Sequence, residues 1–221
     1  QAVASTIDAS LDLIEYVERQ RLVELAVFPE DVSIPIEAAA AIWQLDQWDA
    51  EELVEQFENL SLLKFFPQRA EVQLHDLVRH YLGALIGDFG ELHGRLVDQL
   101  ADTGGKLRDY RIRWLPYHLA GAKRFVELRS LLLSIDWLRE KIAIVGPALT
   151  VDDFSLSQHD PELQLLAETI RISAYVTAQD PDQLPSQLLA RLPEHEPLSQ
   201  SLRCLCSDHS VPAWLVPLRP M

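Results

Sequence analysis

The chain has 221 residues, 48% of them apolar and 24% charged, with 8 Gly, 13 Pro and 2 Cys. That composition fits one large domain or two small ones with real cores, and excludes a collagen, a disulfide scaffold and a disordered chain. No apolar run approaches 18 residues and no basic start precedes an apolar stretch, so neither a membrane span nor a secretory signal is readable. The chain opens on Gln1 and its single Met is Met221, which points to a segment of a longer protein.

Helical periodicity dominates. Ile7, Leu11 and Ile14 begin an apolar stripe that Leu22, Leu25 and Ala26 continue, and Phe28-Pro29-Glu30-Asp31 ends it, because Pro29 disfavours helical geometry at Phe28. Ser33 is placed to cap a second helix with Pro35 in its first turn, running to Trp43. Asp46 or Asp49 caps a third, whose apolar face is Leu53, Val54, Phe57 and Leu60. The period then changes. Residues 62–66 and 71–74 read as two hairpin strands joined by Pro67-Gln68-Arg69-Ala70, and a helix follows from about Asp76 to Ile86, stopped by Gly87. Three helices, a hairpin and a further helix make a winged-helix layout over residues 1–86.

Beyond it only helical signals appear. Segments at about 110–120, 123–133, 135–145, 161–179, 182–192 and 197–206 are punctuated by Gly121, Asp136, Gly146-Pro147, Asp160-Pro161, Asp180-Pro181 and Glu196-Pro197. Helices of this length with short turns predict antiparallel hairpins stacked into an arm over 87–206, with 207–221 as a linker. The fold class is therefore mainly α, with one small hairpin.

Charge separates the halves. Residues 1–102 hold 20 Asp and Glu against 6 Lys and Arg, while the remainder is near balance. The segment matching a winged helix's DNA-reading helix, residues 48–58, carries five acids and no base, so a polyanion would be repelled. Nucleic acid is therefore no expected partner. Between Lys106 and Lys141 nine bases meet four acids, either a solvated helix face or a patch for an acidic protein. That patch supports the alternative reading, a free-standing helical adaptor with no nucleotide dependence.

Catalytic patterns are lacking. Thr103-Gly104-Gly105-Lys106 misses the first glycine of a phosphate loop, and Leu107 stands where Ser or Thr is needed. Cys204 and Cys206, near Asp208 and His209, read as reduced thiols of a cytoplasmic protein rather than a zinc clip. His118 and His159 have no nucleophile in a recognisable setting and read as structural. No catalytic and no metal residue is expected. His75 differs, because it falls where the second strand ends and a helix begins. With Asp76 capping that helix, the ring is free to point off the domain, or else packs on the hairpin.

Five stretches occur together in order. They are residues 25–31 (Leu-Ala-Val-Phe-Pro-Glu-Asp), 74–79 (Leu-His-Asp-Leu-Val-Arg), 115–120 (Leu-Pro-Tyr-His-Leu-Ala), Asp136-Trp137-Leu138 and 180–184 (Asp-Pro-Asp-Gln-Leu). Over about Ile7 to Leu218 the chain resembles the winged-helix and helical-arm portion of NB-ARC (STAND-class) signalling ATPases. The likeness is to bacterial homologues of the apoptotic protease-activating factor that end in WD-repeat propellers. In that family a Met-His-Asp motif contacts bound nucleotide, and Leu74-His75-Asp76 matches it with Leu for Met. The resemblance implies that His75 reaches the β-phosphate of ADP in the closed state. It implies that ATP exchange frees the winged helix for homo-oligomer assembly, and that the arm joins a nucleotide-binding domain and a propeller of the same parent chain. This segment itself is expected to hydrolyse nothing.

Overall fold

A computed structural model describes residues 2–101, 106–157 and 160–192, together with Pro197 and Gln200. Apart from Pro197 and Gln200, the expected helix at 197–206 lies outside those residues, as do the linker from 207, the cysteine pair with Asp208 and His209, His159 and the Gly104-Gly105 loop. The chain divides into two compact units, residues 1–111 and the residues from Ile112 onward.

In the first unit the apolar stripe serves two helices, not one. α1 (Ala2–Leu11) and α2 (Tyr16–Glu24) are separated because Glu15 is extended, at φ −66° and ψ 157°. Its N–H donates to the Glu18 carboxylate at 3.2 Å, a helix-start device written into Glu-x-x-Glu that apolar periodicity alone passes over. A 3₁₀ turn at Leu25–Val27 follows, and Phe28 is extended before Pro29, as the X-Pro pair requires.

A second difference concerns Pro35. Ile34–Pro35 is a short strand, β1, and Pro35 is the residue before α3 (Ile36–Trp43) rather than a member of its first turn; Ser33 caps nothing. β1 pairs antiparallel with β3 (Glu71–Leu74), which also pairs with β2 (Leu63–Phe66), giving a three-stranded sheet in the order β1-β3-β2. Proline is tolerated there because β1 is an edge and has no second neighbour for its missing donor. Asp46 caps α4 (Gln47–Asn59), its carboxylate accepting from the Asp49 N–H at 2.9 Å. The core sets Ile36, Trp43, Phe57, Phe65 and Val72 together out of water, with Trp43 edge-on to Phe57 at 6.3 Å. α5 (Asp76–Ile86) ends at Gly87, whose φ of 77° favours glycine.

Sequence punctuation put the winged-helix boundary at 86/87, whereas the compact unit continues to Arg111. α6 (Gly90–Leu100) packs on α3, burying Leu92, Leu96, Val97 and Leu100. Its Arg95 donates to the Ile42 carbonyl at 3.2 Å and to Glu24 at 2.7 Å. Tyr110 lies edge-on to Phe28 at 5.8 Å. Gly87 ends a helix but not the packing.

The second unit begins inside α7 (Lys106–Gly121), which holds Pro116. It continues through α8 (Phe125–Leu132), α9 (Ile135–Asp152), a 3₁₀ turn at Asp153–Leu156, α10 (Pro161–Gln179) and α11 (Leu184–Arg191). Ser134 and Asp160 cap α9 and α10, so the Asp-Pro punctuation is a pair of jobs: Asp160 accepts from two backbone donors and Pro161 opens the helix. α9 is a bent helix. Gly146, at φ 83° and ψ 165°, breaks it, and residues 147–152, which the sequence left without an element, form its second half.

Four of the nine bases in the basic stretch are paired with acids of this chain. Arg124 pairs with Glu127, Arg129 with Asp160 and Glu162, Arg139 with Asp136 and Asp182, and Lys141 with Asp153. Four of those acids, Asp153, Asp160, Glu162 and Asp182, lie beyond residue 141, so counting charges inside 106–141 could not see them. Among the described residues no helix is long and apolar enough to cross a membrane, and no three metal-ligating side chains converge.

Candidate functional site

The first turn of α5 carries the candidate. Strand β3 ends at Leu74, which is buried, and α5 buries Val78 and Leu82 on the same domain. Between these anchors His75, Asp76 and Leu77 are all exposed, Leu77 at 64%. Two buried anchors four residues apart leave the intervening residues on the outside. The histidine that packs on the hairpin is therefore not what the structure shows.

His75, not Asp76, is the N-cap. It is extended at φ −70° and ψ 136°, and its side chain makes no capping bond, so the ring is not used by the helix it opens. Its carbonyl accepts the Arg79 N–H at 2.8 Å. Asp76 sits inside the first turn, where its charge meets the positive end of the helix dipole. The expected capping role of Asp76 is thus corrected: a carboxylate one residue further along has already taken helical geometry and stabilises the end by charge.

Arg79 ties this turn to the rest of the unit. Its Nε donates to the Phe28 carbonyl at 2.7 Å and its Nη1 to Glu30 at 2.9 Å, with the side chain only 18% exposed. Phe28 is fully buried, and Pro29 holds its carbonyl in the extended geometry that Arg79 meets. Two stretches far apart in sequence, residues 25–31 and 74–79, are thereby one structural feature: a buried turn clamped to the helix start that His75 caps. Sequence reading identified both and missed their connection, because a side chain reaching a main-chain carbonyl leaves no pattern.

The other described histidines separate cleanly. His118 is fully buried and lies edge-on to Tyr117 at 5.1 Å. His93, on α6, is 6% exposed and edge-on to Phe89 at 6.4 Å. Burial, and then the nearby Arg79 charge, pushes its pKa down to about 4, so it is neutral in ordinary buffers. His80 shares the exposure of His75 but lies within α5 rather than at its cap.

The architecture is that of a winged-helix module followed along the chain by an all-helical arm. Residues 89–195 match the family described as the APAF-1 helical domain. The chain is 32% identical over 165 residues to the apoptotic protease-activating factor 1 of Danio rerio, covering 70% of this chain and 13% of that protein. To the Homo sapiens protein of the same name it is 25% identical over 171 residues, covering 72% and 14%. The chain thus carries a helical region of the apoptotic protease-activating factor type, and it spans about one-seventh of the length of these relatives. The family match begins in α6, which packs with the winged helix, so family boundary and packing boundary differ at this point.

Proposed function

We propose that this chain is the regulatory winged-helix and arm portion of a nucleotide-switched signalling ATPase, and that it acts as no catalyst by itself. In the ADP-bound state His75 donates to a phosphate of a nucleotide seated on a neighbouring nucleotide-binding domain of the same parent protein. Exchange for ATP removes that contact and frees the winged helix, so protomers assemble. The arm carries the change to a WD-repeat propeller, and the whole acts in the cytoplasm. A ligand that contacts one state and not the other is what shifts such an equilibrium.

The single observation that carries this reading is the exposed, uncommitted ring of His75 on a rigid mount. It caps α5 without bonding to it, while Arg79 fixes the turn to a buried loop. A charge-assisted hydrogen bond from imidazole to phosphate needs a donor held in place and free of other partners. The likeness to apoptotic protease-activating factor 1 supports the multidomain setting. The adaptor reading has less support, since four of the nine bases, Arg124, Arg129, Arg139 and Lys141, already meet acids of this chain.

The test places the chain beside its nucleotide-binding domain and compares the ADP that co-purifies with the wild type and with His75→Ala. The proposal expects less retained ADP and easier assembly in the variant. Equal nucleotide content in both would remove His75 from the role.

A further inference from the structure

α9 is two regular helical pieces joined at one residue. Gly146 alone leaves helical geometry, and its φ of 83° with ψ of 165° is a region essentially reserved for glycine. A Cβ built there would meet nothing within 4 Å, so glycine is present for its backbone freedom and not to make room. Pro147 starts the second piece, and having no N–H it asks for no acceptor across the joint. The Gly146 carbonyl accepts instead from the Thr150 hydroxyl at 2.8 Å.

Across this joint Lys141 reaches Asp153. The two residues are twelve apart, which along a straight helix would separate them by about 18 Å, yet ammonium and carboxylate are in contact. The pair can exist only in the bent form. Both side chains are inside, 2% and 13% exposed. Lys141 also donates to the Arg113 carbonyl at 2.9 Å, beside the Ile112 carbonyl that Pro116 leaves without its helical donor. Burial pushes the Lys141 amine down and the Asp153 carboxyl up to about 6, the mark of charges that cost solvation to place there. An apolar pair would hold the same volume at lower cost, so a buried ion pair is better explained by what happens when it breaks.

We propose that Lys141 and Asp153 are a charge lock on a hinge at Gly146-Pro147, and that residues 147–156 leave the helical stack as one unit when the lock opens. Three inward side chains also hold that segment. Thr150, Val151 and Phe154 face inward, while Ala148, Leu149, Asp152 and Ser155 are exposed, Leu149 at 53%. The hinge supplies the arm with a two-state element that depends on no nucleotide contact, and it stands or falls apart from the role given to His75.

Hydrogen exchange on the full 221-residue chain tests it, comparing wild type, Lys141→Met and the double variant Lys141→Met/Asp153→Leu. The single variant strands a buried carboxylate, and exchange at the amides of 147–156 should rise about tenfold or more while α10 and α11 change less than about threefold. The double variant removes both charges and should return the segment to near wild-type protection. Equal loss of protection across α8 to α11, no change in 147–156, or failure of the double variant to restore it would each overturn the lock.

Discussion

On α4 the acids Asp49, Glu52, Glu55 and Glu58 lie exposed on a helix that contains no base, whereas in the second unit Arg129, Arg139 and Lys141 each close on an acid from another segment. Both regions look strongly charged when read in a linear window. Only the first keeps its charge as a surface property, and that surface repels polyanions. In the second, charge is spent internally, stitching α8 to the start of α10 and α9 to the turns that follow it. A run of one sign is therefore a surface prediction only when the opposite sign is scarce in the rest of the unit, as it is in residues 1–102 and is not beyond them.

The two units also differ in what holds them. The first unit depends on the buried turn at Phe28, so Phe28→Ala should cost about 3–5 kcal/mol in urea unfolding, the range for deleting a buried ring. A cost below about 1 kcal/mol would mean that the turn is not a packing centre. Acid should act next, and also on the first unit. The folded-state pKa of His93 lies below its ordinary value, so the stability it contributes is complete above about pH 6.5 and is lost as pH falls toward 4. The loss amounts to at most about 3 kcal/mol. His93→Gln should flatten that part of the stability profile. The charge added by protonating His93 would sit near Arg79, so the clamp should loosen in the same window.

Smaller effects probe the stitches. Asp160→Ala removes both the cap of α10 and one partner of Arg129, and should lower stability by about 1–2 kcal/mol, with 1 M salt recovering none of the cap portion. Glu30→Gln should cost less than about 1 kcal/mol, because Glu30 is 67% exposed while the bond from Arg79 to the Phe28 carbonyl persists. If Glu30→Gln proved as costly as Asp160→Ala, the exposed end of the clamp would matter more than its buried end.

How much of this was written in the sequence varies by mechanism. Caps and breakers were legible where a side chain and the bond it makes are neighbours: Asp46, Asp160-Pro161 and the stop at Gly87 are such cases. The hairpin was legible from its period, but β1 was not, since two residues carry no period and Pro35 reads equally well as a helix start. The placement of α6 was hidden because Gly87 signals a helix end in the same way whether or not the next helix stays in the same core. At the candidate site, the place of His75 between strand and helix was legible, but whether its ring points outward or packs on the hairpin was not; the burial of Leu74 and Val78 on either side decides it. The clamp from Arg79 and the lock between Lys141 and Asp153 did not, since both join residues whose proximity exists only after folding.

The central claim is that His75 is a nucleotide contact and not a surface histidine. Its most direct test is the ADP carried through purification by the chain joined to its nucleotide-binding domain, measured for wild type, His75→Ala and His80→Ala. The account predicts that ADP falls only in His75→Ala, with the exposed neighbour His80→Ala matching wild type. Equal ADP in all three, or an equal fall in both variants, would contradict it.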